Sequence, residues 1–193
     1  MANRAALIVV GGFLAFVVLV ALIAGLYVRN TYNGLVEKSQ AIDAQWAQVE
    51  TQYQRRFDLI PNLVEATKGI FEQERAVFGQ LAEARTRYAG AATPDQRAET
   101  ATQVESALAR LLVVMENYPN LRSQANVTQL MDELAGTENR IAVERMRFNE
   151  RVLAYNNTVV RFPSNTIAAM FNYSERPYFR AVSGADGAPK VQF

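Results

Sequence analysis

The side chains of this sequence that could take part in chemistry are acids and arginines within an otherwise apolar helical pattern. The six that stand out are Arg55, Arg56, Asp58, Glu74, Glu138 and Arg145. On one interpretation they line a polar groove that binds a ligand. A buried charge costs several kcal/mol unless it is paired, so the alternative is an internal network of ion pairs that fixes helix register. The network is favoured because the spacing shows no convergent catalytic geometry.

The composition excludes several classes of enzyme. The chain of 193 residues has no histidine and no cysteine, which removes most zinc sites and every Cys- or His-based nucleophilic mechanism. A di-metal centre built on Glu-x-x-His pairs cannot form. The sequence also has no DxDxDG loop, Walker lysine or glycine-rich phosphate loop. A lysine- or serine-based enzyme stays open, but we predict no catalytic residue, no metal and no cofactor.

An apolar run near the N-terminus predicts a membrane-spanning helix. Ala5 to Val28 contains 24 residues without a charge, bracketed by Arg4 and Arg29. As a helix this run is about 36 Å long, enough to cross a hydrocarbon core of about 30 Å. A cleavable signal peptide has a shorter apolar region and a better cleavage site. We therefore predict a single-pass anchor over residues 1–29.

The rest of the chain predicts an all-α fold. From Tyr32 to Phe162 apolar residues recur three or four apart in four series, and no β-alternation competes. The breaks between the series fall at Pro61, at Ala89 to Pro94 and at Pro119. Short connections make successive helices antiparallel neighbours, so the anchor should precede an antiparallel up-and-down four-helix bundle over residues 30–162. The alternative treats Pro61 and Pro119 as kinks within two very long helices.

The stretch QRRFDLIPNLVEATKG, which begins at Gln54, is predicted to be a corner between the first two helices. Asp58 would cap the second helix and Pro61 would occupy its first turn. Arg55 and Arg56 would lie in the last turn of the first helix, where cations favour the dipole. On this account Asp58→Ala would lower stability by about 1 kcal/mol, and Pro61→Ala would change it modestly.

The remaining connections and the C-terminal part are simpler. Thr93 is predicted to cap the third helix of the bundle and Pro94 to begin it. Residues 163–193 are predicted to hold a short helix from Asn165 to Phe171 and an extended segment from Arg176 to Phe179. Ser183 to Pro189 is rich in Gly and Ala and is predicted to be flexible.

Two asparagines follow aromatic residues one heptad apart, Asn149 after Phe148 and Asn156 after Tyr155. With each aromatic facing the core, the asparagine beside it could bond across to a neighbouring helix. A ladder of this kind could form a binding surface, but a core stripe with polar flanks is the favoured interpretation.

Several motifs occur in one order along nearly the whole chain. They are YNGLV at Tyr32, QRRFDLIPNLVEATKG at Gln54, ENYPNL at Glu116, TENRIA at Thr137, FNERVLAYN at Phe148, FPSNTIA at Phe162 and RPYF at Arg176. In these motifs the chain resembles the LemA family of bacterial membrane proteins. The resemblance implies one membrane helix, a four-helix bundle and no established enzymatic activity. Family members often carry His-Glu where this chain has Gln73-Glu74, so only Glu74 remains at that site.

These observations lead to one set of predicted structural positions. The predicted polar network consists of Arg55, Arg56, Asp58, Glu74, Arg85, Glu138, Arg145, Asn149 and Asn156, with Pro61 and Pro119 at corners.

The favoured function is a membrane-anchored, non-catalytic scaffold that self-associates and presents its bundle at the membrane surface. One alternative is an adaptor for a membrane protease or chaperone in envelope quality control. The other is a ligand-binding receptor or enzyme that uses Glu74, Glu138 and Arg145.

The expected partners are membrane lipid, further copies of the chain and an envelope protein such as a membrane protease. The charge is balanced without a basic stripe, so nucleic acid is not expected. Basic residues are nearly balanced between the two ends of the apolar run, with Arg4 before it and Arg29 and Lys38 after it, which leaves both orientations open. The short basic N-terminus before an apolar run is typical of a signal-anchor, so the bundle is expected on the periplasmic side of the bacterial inner membrane.

Overall fold

The computed structural model describes residues 2–70 and 72–179, which form helices and loops with no strand. The helices are α1 Ala2–Ala66, α2 Arg75–Gly90, α3 Pro94–Met115, α4 Pro119–Arg122, α5 Ala125–Val160 and α6 Ser164–Met170, with a 3₁₀ turn at Lys68–Ile70. The all-α class is confirmed. The segment from Ser183 to Pro189, predicted to be flexible, lies outside the described residues.

Helix α1 carries the apolar run and continues past it without a break. From Val10 to Leu26 every large hydrophobic side chain is 46–66% exposed. By its length and composition this part of the helix can cross a membrane. So large an exposed apolar surface is unfavourable in water and calls for an apolar environment. No helix end separates residue 29 from residue 30, and the predicted domain boundaries stay predictions.

The predicted corner at Pro61 is wrong. Helix α1 runs through Pro61 and ends at Ala66. Asp58 therefore lies inside a helix, where its carboxylate accepts a hydrogen bond from Gln54 Nε2 at 2.8 Å, and it caps nothing.

Core packing explains why the helix continues through the proline. A proline inside a helix removes one backbone hydrogen bond and costs about 3 kcal/mol. Pro61 itself faces solvent, while Phe57, Ile60 and Leu63 follow one another at helical spacing and are all buried. Burying three large apolar side chains contributes about 1.5–3 kcal/mol each, which outweighs the cost of the proline.

Pro61→Ala should therefore stabilise the protein, by about 1–3 kcal/mol, because alanine restores the missing helical hydrogen bond and is the best helix former. Urea unfolding of the full chain in detergent micelles measures this. Asn62→Ala, a change at the neighbouring exposed position, is the matched control. A loss of stability in Pro61→Ala would show that the proline is needed for the local geometry.

The chain leaves α1 just after Ala66. The buried Thr67 donates its hydroxyl to the carbonyl oxygen of Leu63 at 2.7 Å, and the 3₁₀ turn at Lys68–Ile70 follows. The second predicted helix is thus divided, with its first part in α1 and its last part in α2, Arg75–Gly90.

The other two breaks occur where the sequence places them. Thr93 Oγ1 accepts a hydrogen bond from the backbone N–H of Gln96 at 3.2 Å, and Gln96 Oε1 accepts one from the N–H of Thr93 at 3.3 Å. This capping box, with Pro94 as the first helical residue, confirms the predicted start of α3. Helix α3 ends at Met115, and Pro119 begins the single turn of α4.

The described residues form two compact units. The first unit contains the described residues up to Asp43 together with Glu150–Pro177, and the second contains Ala44–Asn149 with Tyr178 and Phe179. The buried apolar residues of the first unit come from α1, α5 and α6, and include Leu35, Ile42, Val152, Tyr155, Ile167 and Ala168.

A single hydrophobic core organises the second unit. It gathers side chains from four helices, among them Tyr53 of α1, Leu81 of α2, Leu111 of α3 and Ile141 of α5, each at most 1% exposed. These helices carry the polar side chains described below, so the core sets the geometry of the polar groups.

Helix α6 agrees with the predicted short helix to within one residue at each end. It ends in a turn in which Asn172 adopts a left-handed conformation with φ of 59°. The N–H of Tyr173 donates to the carbonyl of Ala168 at 2.9 Å, and that of Asn172 to the carbonyl of Ala169 at 3.2 Å, as in a Schellman motif. Beyond this turn, residues 173–179 have no regular secondary structure.

Candidate functional site

A cluster of charged and polar side chains lies at the core of the second unit. Arg145 of α5 donates from Nε and Nη2 to the hydroxyl oxygen of Tyr53 at 3.0 and 2.6 Å, and its guanidinium also pairs with Glu105 of α3. Arg56 Nη1 lies 2.5 Å from a carboxylate oxygen of Glu138 and 3.6 Å from one of Glu105. These five residues, named the central polar cluster from here on, join α1, α3 and α5.

Arg56 is the most buried charged member of the central polar cluster, with 9% of its side chain exposed. Its Nη1 is close to both carboxylates, but the N–H directions do not satisfy hydrogen-bond geometry. Nε likewise finds no acceptor among the described residues. The charge of Arg56 is therefore compensated mainly by proximity to Glu138 and Glu105 and less by directed hydrogen bonds.

The two charged partners on α3 and α5 respond differently to burial. Burial raises the pKa of Glu105 above its ordinary value of 4.5; Arg145 and Arg56 oppose that rise, and Glu138 adds to it. Burial lowers the pKa of Arg145, but Tyr53 and Glu105 raise it by more, so the net change is upward. The neighbours of Arg145 thus favour its charged form, whereas for Glu105 the effect of burial exceeds that of the two arginines and shifts the carboxyl towards its neutral form relative to water. Burial also raises the pKa of Tyr53, so its hydroxyl stays protonated.

This difference predicts a pH effect on stability. Since the pKa of Glu105 is higher in the folded protein, its contribution is fully present below 4.5 and is lost as the pH rises through the raised value. The wild type should therefore gain stability over Glu105→Gln as the pH falls from neutral. Urea unfolding at several pH values tests this, with Glu99→Gln, an exposed carboxylate on the same helix, as the matched control. Parallel pH profiles for the wild type and Glu105→Gln would contradict it.

Asn149 binds the extended C-terminal segment within the second unit. Its Nδ2 donates to the carbonyl of Phe179 at 3.0 Å, and its Oδ1 accepts from the N–H of Phe179 at 2.8 Å. The ring of Phe179 stacks on Trp46, with centroids 6.4 Å apart, and lies 4.4 Å from the guanidinium carbon of Arg145. Phe179 is therefore held by the side-chain amide of Asn149, the ring of Trp46 and the guanidinium of Arg145.

Asn156 makes the same kind of contact within the first unit. Its Nδ2 donates to the carbonyl of Arg176, and its Oδ1 accepts from the N–H of Arg176, both at 2.9 Å. The Arg176 side chain reaches Ser39 Oγ at 3.1 Å and Asp43 Oδ1 at 3.4 Å. Both asparagines thus bond to extended backbone. The expectation that they bond to a neighbouring helix is wrong, because the extended segment offers paired N–H and C=O groups that a helix uses internally.

The other residues of the predicted network are dispersed. Glu74 precedes α2 without a side-chain cap and accepts a hydrogen bond from the Tyr118 hydroxyl at 3.0 Å. Arg85 is exposed and makes no ion pair with any described residue. Arg55 lies in a shallow groove whose other charged residues are Asp132, Glu133 and Arg140.

Two important members of the site did not stand out in the sequence. Tyr53 belonged to the apolar series, although its hydroxyl is the acceptor for Arg145. Glu105 lies outside the predicted network, although it falls four residues after Ala101 and three before Leu108, on the buried face of α3. The sequence signal for Glu105 is its position in phase with the apolar residues of α3, which indicates a charge on the buried face.

The chemistry available to this arrangement is limited. Among residues 2–70 and 72–179 no group of three or more acidic side chains is placed to hold a metal ion. A second groove, between α2 and α3, has its polar groups already engaged, with Arg87 paired to Glu83 at 2.5 Å and Arg110 bonded to Gln80 at 2.8 Å. The central polar cluster can hold helices in register more readily than it can act on a substrate.

Comparison with known proteins identifies the family. Residues 45–193 match the sequence profile of the LemA family. The chain belongs to the LemA family. The resemblance in its motifs is thereby confirmed.

Relatives of this LemA-family chain include magnetosome proteins. "Magnetosome protein MamQ 2" and "Magnetosome protein MamQ 1" of Paramagnetospirillum magneticum are each 28% identical over 193 residues, which covers 86% of this chain and 70% of the relative. "Magnetosome protein MamQ" of Magnetospirillum gryphiswaldense is 25% identical over 194 residues, covering 87% of this chain and 71% of the relative. The family, these relatives and the apolar N-terminal helix together indicate a membrane-associated protein.

Proposed function

We propose that this LemA-family protein is a membrane-anchored, non-catalytic scaffold that self-associates and presents a helical bundle at the membrane surface. The observation that carries the proposal is the central polar cluster. Its arginines pair with the largely buried Glu105 and with Glu138, whose side chain is 46% exposed, and Arg145 also bonds to the hydroxyl of Tyr53. Such a cluster supports helix register through charge pairing. Among the described residues, the groups of the cluster without a hydrogen-bond acceptor are Nε and Nη1 of Arg56, which are buried.

In this proposal the helices of the second unit form an antiparallel up-and-down four-helix bundle. The segments are residues 44–66 of α1, then α2 and α3, and residues 125–149 of α5. The shared hydrophobic core and the short connections between α2 and α3 and between α3 and α5 support this arrangement. Ion pairs that link α1, α3 and α5 would penalise a slipped register, because sliding one helix would leave a buried charge unpaired.

The anchor of the proposed scaffold is the apolar part of α1, which would cross the bacterial inner membrane once. Arg4 precedes the run and Arg29 follows it, and the basic residue before the run supports a bundle outside the cytoplasm. Because the chain has no cysteine, Gln124→Cys at the exposed connection between α4 and α5 supplies a unique thiol. A membrane-impermeant maleimide should label it in intact spheroplasts. Labelling only after lysis would place the bundle in the cytoplasm.

Self-association is the decisive test of the scaffold. The full chain reconstituted in lipid nanodiscs large enough for several copies should give oligomers by single-particle mass measurement. A strict monomer at every protein-to-lipid ratio would overturn the proposal. Crosslinking in cells distinguishes the alternative, since recovery of a membrane protease in place of further copies would favour an adaptor.

A further inference from the structure

An exposed apolar surface in the first unit is left unexplained by the scaffold proposal. It lies at the end of α5 and along α6, where one face of α6 is buried through Ile167 and Ala168. The residues of this surface, named the α6 apolar patch from here on, are Val160 (55% exposed), Phe162 (84%), Met170 (63%) and Phe171 (43%). Three of these four large side chains are more than half exposed, and such an exposed apolar surface marks a place that contacts another apolar phase.

The α6 apolar patch is tied to the helix that carries the apolar run. The ring of Phe171 lies 4.7 Å from the ring of Tyr32, centroid to centroid, within the same compact unit. Tyr32 follows Val28, the last residue of the charge-free run, by four residues, or about 6 Å along the helix. The patch therefore begins within about one helical turn of the point where the run ends.

That position matches the interfacial layer of a bilayer. Beyond the hydrocarbon core of about 30 Å, each polar layer adds roughly 5–8 Å. Tyrosines are enriched in this layer, and Tyr27 and Tyr32 stand on either side of the end of the run. Arg29 and Arg161 are both exposed, so their cationic groups can reach lipid phosphates there.

We propose that the α6 apolar patch lies in the interfacial layer of the bilayer that α1 crosses, with Phe162 and Met170 in contact with lipid. The first unit then meets the membrane at two places, through a crossing helix and through a short helix lying at the surface. The inference rests on the membrane anchor of the proposed function. Its occupant is phospholipid, because the patch is continuous with the end of the membrane-spanning run.

Fluorescence quenching in nanodiscs tests this on the full chain. Phe162→Cys and Met170→Cys, each the only thiol in its chain, are labelled with an environment-sensitive fluorophore. The lipids carry a nitroxide quencher at the top of the acyl chain, and iodide serves as the aqueous quencher. Phe13→Cys, within the run, is the control for insertion. Glu150→Cys, exposed and about 15 Å before Val160 along α5, is the control for a position in water.

Each outcome decides a different point. Strong quenching by nitroxide lipid at Phe162→Cys and Met170→Cys, with iodide quenching at Glu150→Cys, supports the inference. Iodide quenching at the α6 positions with lipid quenching at Phe13→Cys overturns the inference and leaves the anchor standing. Absence of lipid quenching at Phe13→Cys overturns the anchor itself. Protection from both quenchers that disappears at one chain per disc means that a second copy covers the patch, which also overturns the inference.

A second variant separates contact from mere proximity. A fluorophore on Thr166→Cys, an exposed position of α6, reports lipid quenching of the short helix. Adding Phe162→Ser and Met170→Ser should abolish most of that quenching, because the apolar contacts with lipid are lost. Asn165→Ser in the same helix should leave it unchanged. Quenching that survives the double serine substitution would show that Phe162 and Met170 do not hold α6 at the lipid.

Discussion

Replacing Arg145 with methionine should lower the free energy of unfolding by about 3 kcal/mol, the largest single effect expected in the second unit. The substitution removes the two N–H groups of Arg145 that donate to the Tyr53 hydroxyl oxygen, and it removes the ion pair with Glu105. The remaining cationic partner of Glu105 would be Arg56, whose Nη1 lies 3.6 Å from Oε1 of Glu105. The guanidinium would also no longer lie over the ring of Phe179.

Trp46, the only tryptophan, provides the measurement. It is buried beside Phe148 and Phe179 in the second unit, so its fluorescence should follow unfolding in urea. Arg140→Met makes the same change at an exposed position of α5 and should shift stability by less than about 0.5 kcal/mol. Equal effects of the two substitutions would show that the central polar cluster contributes nothing to stability.

A double substitution shows whether the loss of stability in Arg145→Met comes from the unpaired carboxylate of Glu105 or from lost packing. Arg145→Met with Glu105→Leu leaves no unpaired carboxylate beside α5, so it should cost less than Arg145→Met alone. Strictly additive losses would indicate that packing and not charge pairing dominates the cluster.

Replacing Asn156 with alanine should release the extended segment from α5, at a cost of about 2 kcal/mol. Two hydrogen bonds to the backbone of Arg176 disappear, and Asn156 itself is only 4% exposed. Hydrogen exchange should show lost protection at the Arg176 amide. Asn157→Ala changes the neighbouring, more exposed asparagine and should leave that protection intact.

A second substitution at the same position shows which hydrogen bond matters. Asn156→Asp keeps the acceptor for the N–H of Arg176 but places a carboxylate against its carbonyl oxygen. It should therefore destabilise the segment at least as much as alanine does. Unchanged exchange at Arg176 in both variants would mean that its side-chain contacts with Ser39 and Asp43 suffice to hold it.

The sequence by itself determined the features that depend on neighbouring residues. The helical class follows from apolar spacing, and the start of α3 follows from Thr93, Pro94 and Gln96, whose capping box closes within four residues. The membrane-competent run follows from 24 charge-free residues, and the LemA family from motifs along the chain. Each of these features depends on residues near one another in the chain or on motifs that can be recognised in the sequence itself.

Tertiary structure decided the features in which distant segments compete with local preference. Pro61 reads as a helix start by local rules, but burial of Phe57, Ile60 and Leu63 carries α1 through it. The helical spacing of those three residues continues across the proline, so the sequence contained a signal for an unbroken helix. Whether the helix continues depends on whether burial of the three side chains outweighs the cost of the proline.

The spacing of residues along the sequence also could not predict which groups the asparagines and acids bind. Asn149 and Asn156 stand one heptad apart, yet what they bind depends on where residues 176–179 return along the chain. Glu105 acquires its role only because Arg56 of α1 and Arg145 of α5 converge on it. Periodicity places a side chain on a face of its helix, whereas the identity of its partner is set by packing among elements far apart in sequence.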